Sequence, residues 1–462
     1  MARPRSRSRC ASCGFATALP LGRCPECGAW DSFEPEAPAP PGPARAAPAA
    51  RPVSELEASP AARLSTGLGE LDRVLGGGLV PGAIVLLGGD PGVGKSTLLL
   101  HALEALARGG HRVLYASAEE SAEQTALRAR RLGVGAPGLL VVCESRLEAV
   151  LAEAARLAPR VLAVDSVQVM AADGASPPGT PSQVRAVAAG LTAFAKPRGL
   201  CVLLVGHVTK DGGLAGPKTL EHLVDAVLHF EGEPRSACRI LRASKNRFGS
   251  TDEIGVFEMG GAGLREVADP SALFLAERPR GVAGSAVVAS VEGARPLLVE
   301  VQALCATPAG PARRTALGVD PYRVALMLAV LERHVGVDLG TKDVFVNVAG
   351  GLRLEEPAVD LALVAALASA ATGRPVRDGA VCFGEVGLAG EVRAVGRPDL
   401  RLAEAARRGF CRCVAPPAGD AAAAGGLEAV RVADVGAALA ALLAPARPAA
   451  RPAAPARPAG SR

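Results

Sequence analysis

The chain has 462 residues, enough for roughly three domains at about 150 residues each. Its 49% hydrophobic and 21% charged content, with a mean hydropathy of +0.26, excludes a mostly disordered chain. A net charge of +5 permits a nucleic-acid partner without arguing for one, and 3% aromatic residues exclude a platform of many stacked rings.

In chain order, residues 1–33 carry Cys10-x2-Cys13-x10-Cys24-x2-Cys27. Two C-x2-C knuckles bring four thiolates to one tetrahedral zinc site, and Gly14, Pro25 and Gly28 supply the turns. Four cysteine ligands leave no open position, so the metal is expected to be structural; a redox pair is the alternative. Arg3, Arg5, Arg7 and Arg9 precede the module as a phosphate-touching arm or a solvated tail. The other seven cysteines read as small buried hydrophobes in a reducing, cytoplasmic compartment. The basic N-terminus leads into Cys10 without an apolar stretch, so no secretory signal is expected. Residues 34–62 are a Pro/Ala-rich linker.

From residue 63 to 275, apolar runs alternate with Ala/Leu helical stretches. Strands are predicted at 83–89, 112–117, 161–166 and 200–207, nearly all apolar, as in a parallel sheet covered on both faces. A β-rich continuation follows at 224–232, 238–244 and 253–259. The first strand runs into Gly89-Asp90-Pro91-Gly92-Val93-Gly94-Lys95-Ser96, a G-x4-G-K-[ST] loop, and a helix is predicted from Lys95 to Arg108. Such a loop wraps ATP phosphates in backbone N–H groups at a helix N-terminus. Lys95 would reach the β/γ-phosphates, Ser96 would ligate Mg²⁺, and Thr97 follows in the same turn. Asp165 ends a buried strand, where a carboxylate holds the metal through water. Glu119 and Glu120 end another strand; spacing cannot separate them, and Glu119 is favoured as the group that orients water. His207 and Lys210 follow a strand as phosphate sensors or as a polar loop. Lys245-Asn246-Arg247-Phe248-Gly249 offers two cations to a phosphate or to a neighbouring subunit's nucleotide.

A second α/β block is expected over 276–444, with strands at 285–293, 296–304, 343–351 and 379–388 and helices at 321–336 and 358–373. No apolar run reaches the roughly 20 residues of a membrane span. The tail 445–462, Pro/Ala-rich with four arginines and no acid, is expected to be disordered.

Together these segments resemble the bacterial RadA/Sms DNA-repair ATPase family. The resemblance rests on RCPECGAW (23–30), GGDPGVGKSTLL (88–99), LYASAEES (114–121), GHVTKDGGLAGPKTLEH (206–222), KNRFG (245–249) and EGARPLLVEVQAL (292–304). It implies an α/β protein with a zinc ribbon-like module, a RecA-like P-loop core and a C-terminal Lon-protease-like domain. It further implies ATP, Mg²⁺ and Zn²⁺ as cofactors and a homo-hexamer. The partners implied are single-stranded and branched DNA and a RecA-type recombinase, and the activity is helicase-like branch migration in recombinational repair. By the same resemblance Lys95, Glu119 and Asp165 are catalytic, Lys245 and Arg247 reach ATP across a subunit interface, and residues 206–213 lie near DNA-binding loops. Two departures stand out. Ala118 replaces the family's glycine, and Ala358 stands where a Lon peptidase carries its serine, with no lysine after Lys342. A hydroxyl nucleophile needs a base, so the last domain reads as a scaffold. The alternatives are a Lon-type ATP-dependent protease and a regulatory RecA-fold ATPase without nucleic acid.

Overall fold

The computed structural model describes residues 8–13, 15–17, 22–35, 63–174, 176–206, 220–232, 237–417 and 425–445. The linker from 36 to 62, the segment 207–219 with His207 and Lys210, and the tail from 446 lie outside them. The chain forms two compact units, Met1–Pro60 and Ala61–Arg462.

The first unit holds a small antiparallel sheet of β1 (Ser8–Cys10), β2 (Ala16–Thr17) and β3 (Phe33–Pro35), with β1 in the middle. Cys10 pairs with Phe33 in its register. The second knuckle closes through Gly28, at φ 74°, whose N–H donates to the Cys24 carbonyl at 2.9 Å. That left-handed backbone is costly for any residue with a β-carbon.

In the second unit, α1 (Gly69–Leu75) precedes β4 (Ile84–Gly89), α2 (Lys95–Arg108), β5 (Val113–Ser117), α3 (Ala122–Leu132) and β6 (Leu139–Cys143). Then come α4 (Leu147–Leu157), β7 (Val161–Asp165), α5 (Pro181–Ala195) and β8 (Cys201–Val205). β9 (Ala226–Glu231), β10 (Cys238–Asn246), β11 (Ile254–Gly260) and β12 (Gly263–Glu266) complete a nine-stranded sheet. Its order is β12-β11-β10-β9-β4-β8-β7-β5-β6. The six strands from β9 to β6 are parallel, and β10, β11 and β12 extend the sheet antiparallel. β4, β5, β7 and β8 are buried along their whole length, which is why they read as continuous apolar runs. β6 has no such signature: it is an edge strand with Val141 in solvent, and spacing alone missed it. Ser121 caps α3 reciprocally with Gln124, a capping box worth about 1 kcal/mol.

After α6 (Pro270–Leu275), the hairpin β13 (Ser285–Glu292) and β14 (Arg295–Ala306) opens a seven-stranded mixed sheet. Its other strands are β15 (Arg314–Leu317), β16 (Asp343–Val348), β17 (Ala380–Cys382), β20 (Arg412–Ala415) and β21 (Glu428–Arg431). β18 (Glu385–Val386) and β19 (Val392–Arg393) form a separate ribbon. The run 379–388, expected as one strand, is therefore split. Gly384 breaks it, and its N–H donates to the Ala358 carbonyl at 3.0 Å instead of to a strand. The helices are α7 (Pro321–Val330), α8 (Asp360–Thr372), α9 (Pro398–Arg407) and α10 (Val435–Leu442). Helix α7 is shorter than the 321–336 prediction: its last turn, Leu331–Val335, widens into a π-helix and stops at Gly336. α8 is buried from Asp360 to Ser369, apolar all round as a central helix must be.

No gap in packing separates the two sheets. One apolar core joins Cys238, Ile240, Ile254, Val256, Val267 and Phe274 to Val288, Leu297, Val299 and α8. The β13–β14 turn is pressed into the first sheet's flank. Arg295 pairs with the buried Glu70 of α1, and Arg242 of β10 reaches Glu292 at 2.8 Å. At Gly293, φ 62°, a β-carbon would overlap the Asp252 carbonyl.

Candidate nucleotide site and zinc module

The loop from Gly89 to Gly94 connects the carboxyl end of β4 to the first turn of α2. Two of its three glycines face a close neighbour, and Gly92, at φ 79°, has open space around it. Gly89, at φ 151°, leaves room for the Phe230 carbonyl, and Gly94, at φ 114°, lies where a β-carbon would come within 2.6 Å of Met259 Cε. Lys95 is buried, and its ammonium donates to the Gly89 and Asp90 carbonyls at 2.8 and 3.0 Å. Burial lowers its pKa, while Asp165, Asp90 and Glu119 oppose that shift.

Register sets the facing wall. Ser117 pairs with Asp165 across β5 and β7, so the residues after both strands meet beyond the sheet edge. Asp165 is buried and accepts the Tyr115 hydroxyl at 2.8 Å. Burial and the Asp165 charge push the Tyr115 pKa far up, so it remains a donor. The Ser166 hydroxyl donates to Glu119, whereas Glu120 pairs with Arg128 of α3. Glu119 and Glu120, inseparable by spacing, thus have different partners. The cavity between these walls is about 310 Å³; Pro91, Gly92, Gly94, Lys95, Ser96, Thr97, Tyr115, Glu119, Glu120, Arg128, Arg131 and Asp165 line it. Val93 points away: it is buried, and its carbonyl accepts from Arg239 of β10 at 3.0 Å. Tyr115, Ser166 and Arg239 carried no sequence signal, because each acts on a residue distant in the chain; Arg128, eight residues from Glu120, belongs to no motif.

Lys245 and Arg247 do not join this cavity. In register, Asn246 lies beside Ala226 and Ala226 beside Val85, near the start of β4. The P-loop leaves the opposite end, at Gly89. Lys245 donates to the carbonyls of Glu221 and Val224, and Arg247 pairs with the buried Asp225 at 3.1 Å. Within one chain, these cations brace the far end of the sheet.

In the first unit, the Sγ atoms of Cys10, Cys13, Cys24 and Cys27 all lie within 4.8 Å of one another. Cys10 and Cys27 are 3.7 Å apart, Cys13 and Cys24 3.5 Å. A tetrahedron with Zn–S bonds of about 2.3 Å needs sulfurs about 3.8 Å apart, so the set fits zinc. Ser32, 3.1 Å from Cys10 Sγ, helps lower that thiol to about 6. Of the remaining seven cysteines, Cys201, Cys238, Cys382 and Cys413 are buried and Cys305 is partly so; Cys143 and Cys411 are exposed, contrary to the expectation.

In the C-terminal sheet, Ala358 is fully buried ahead of α8. Beside it, Glu356 accepts both guanidinium arms of the buried Arg401, at 2.8 and 2.6 Å, and the Ser290 hydroxyl at 2.6 Å. The polar groups here satisfy one another.

A P-loop at the head of a buried helix, on a mainly parallel sheet, defines a nucleotide-binding ATPase core of RecA-like type, here joined to a zinc ribbon and a Lon-like domain. Family models agree: an AAA domain over residues 49–213, a rubredoxin metal binding domain over 9–35, and the Lon protease (S16) C-terminal proteolytic domain over 333–424. The chain is 47% identical to the DNA repair protein RadA of Bacillus subtilis, over 95% of this chain and 99% of that one. It is 47% identical to the RadA of Mycobacterium tuberculosis H37Rv, covering 95% and 93%. It is 48% identical to that of Listeria monocytogenes, covering 88% and 91%. The chain belongs to the RadA family of DNA repair proteins.

Proposed function

We propose that the chain is a DNA-stimulated ATPase of recombinational repair that drives branch migration on single-stranded and branched DNA. The observation that carries this is the cavity in which Lys95, Ser96, Glu119 and Asp165 converge, in a chain that resembles RadA proteins along nearly its whole length. On phosphate binding, Lys95 exchanges the Gly89 and Asp90 carbonyls for the β/γ-oxygens, and the N–H groups from Gly92 to Thr97 wrap the rest. Ser96 and Asp165 would hold Mg²⁺, which supplies neutralising charge to the transferring phosphoryl group. A buried carboxylate beside a helix-initiating serine fits that role. Glu119 orients the attacking water while the Ser166 hydroxyl holds its carboxylate; Glu120, tied to Arg128, does not.

Lys245 and Arg247, remote from their own chain's cavity, serve the phosphates of an adjacent subunit in a homo-hexameric ring. Residues 206–213 approach DNA, and a RecA-type recombinase is the protein partner. The assembly works in the cytoplasm; no helix among the described residues is long and apolar enough to cross a membrane. The C-terminal domain is a scaffold without peptidase activity, since Ala358 offers no nucleophile and Glu356 is locked to Arg401. The test is ATP turnover with and without single-stranded DNA, together with a fork-migration assay. Stimulation and migration are expected; absence of both at every salt concentration overturns the reading.

A further inference from the structure

The second cysteine knuckle does more than offer two sulfurs. Arg23 and Trp30 bracket it and pair as an antiparallel bridge. The Arg23 Nε donates to the Gly28 carbonyl at 3.2 Å, which parks the guanidinium 5.6 Å from the Trp30 ring centroid. Trp30 is the only tryptophan in the chain, and it is 71% exposed. An indole costs free energy in water and normally hides its body. Here a cation backs one side and the rest of the ring faces solvent.

We propose that Trp30 and Arg23 form a stacking site for one base of single-stranded nucleic acid, with Arg23 also serving the adjoining phosphate. A flat ring backed by a guanidinium matches a base, which needs one face and a nearby cation. A protein partner would need more: an anchor set in a wider apolar patch. Among the described residues of this unit, Trp30 is the only exposed large hydrophobe, so those residues offer no such patch. Charge points the same way. Residues 1–35 carry five arginines (3, 5, 7, 9 and 23) against Glu26, Asp31 and Glu34. The site depends on the knuckle, because Gly28 fixes Arg23 and the chain returning from Cys27 delivers Trp30. It rests on the proposed DNA reading and adds to it a contact in the zinc module.

The single tryptophan makes the test direct. Intrinsic emission of the full-length, zinc-loaded protein is titrated with oligothymidylate, with an abasic strand of the same length, and with an acidic peptide. Expected are strong quenching by oligothymidylate and little by the abasic strand. Trp30→Ala should weaken the zinc module's share of binding about tenfold with zinc content unchanged, and Trp30→Phe should recover most of it. Arg23→Ala should lower the slope of log affinity against log salt by about 0.7. DNA-stimulated ATP turnover is recorded in the same samples. Emission and affinity indifferent to oligothymidylate, with stimulation intact, overturn this site and leave the proposed activity standing. Equal quenching by the abasic strand overturns base stacking. Quenching by the peptide alone overturns the site in favour of a protein partner. Loss of all DNA binding and stimulation in the unmodified protein overturns both readings.

Discussion

Two helices of this chain begin beside what could be a reactive pocket, and they have opposite surroundings. At the head of α2, the buried Lys95 donates to two loop carbonyls, and Asp165, Glu119 and Ser96 line an open cavity of about 310 Å³. At the head of α8, Ala358 is fully buried, and Glu356 is tied to Arg401 and Ser290. The first arrangement leaves polar groups ready to exchange partners with a ligand. The second has converted its polar groups into structural ties. Whether a buried charge serves chemistry or stability is therefore read from its partners more than from its depth.

The largest effect that would break this contrast comes from Lys95→Ala. ATP turnover should fall on the order of 10³-fold or more, because a positioned cation is lost from the phosphoryl site. Near-normal rates would show that the open pocket is not the reactive one. Next is Arg401→Ala, which leaves the half-buried Glu356 without its guanidinium. Denaturant unfolding should show a loss of about 3–5 kcal/mol, with turnover per folded molecule unchanged. A catalytic defect at full stability would contradict the structural role.

Tyr115→Phe sharpens the comparison at the level of one hydroxyl. It removes the 2.8 Å hydrogen bond to Asp165 and nothing else of the ring. The Mg²⁺ concentration for half-maximal turnover should rise roughly tenfold, in line with a lost hydrogen bond to a charged group, while nucleotide binding without the metal stays the same. The smallest effect concerns the rear of α2, where Glu104 accepts the Gly135 and Ala136 N–H groups at 2.9 Å each and the Arg108 guanidinium. Burial pushes its pKa up, but these donors more than offset that, so the carboxyl lies below its ordinary value. Its contribution is therefore complete above the unfolded pKa of about 4.3 and is lost as the pH falls through the lower folded value. Glu104→Gln should cost about 1–2 kcal/mol at neutral pH and progressively less in acid, with turnover unaffected.

The parts legible in the sequence were those whose chemistry is local. The P-loop, its helix from Lys95 to Arg108 and the four cysteines announce themselves by short spacing, and the buried parallel strands by unbroken apolar runs. Contacts between distant segments were not legible. Tyr115 and Asp165 are 50 residues apart, and Arg239 reaches a P-loop carbonyl 146 residues away. Nor were β6 and β21, strands at the sheet edges with partly exposed faces, which leave a weak pattern. KNRFG was conspicuous as a motif, but only the antiparallel run of β10 shows that it sits at the far end of the sheet from the phosphate loop.

The shared core under β10, β11 and β13 has a practical corollary. A fragment ending at residue 275 would keep Ile240, Ile254, Val256 and Phe274 but strip away the side chains that cover them. Such a truncation should aggregate rather than yield a free-standing motor domain. In calorimetry, residues 61–462 of the intact chain should absorb heat in a single cooperative transition.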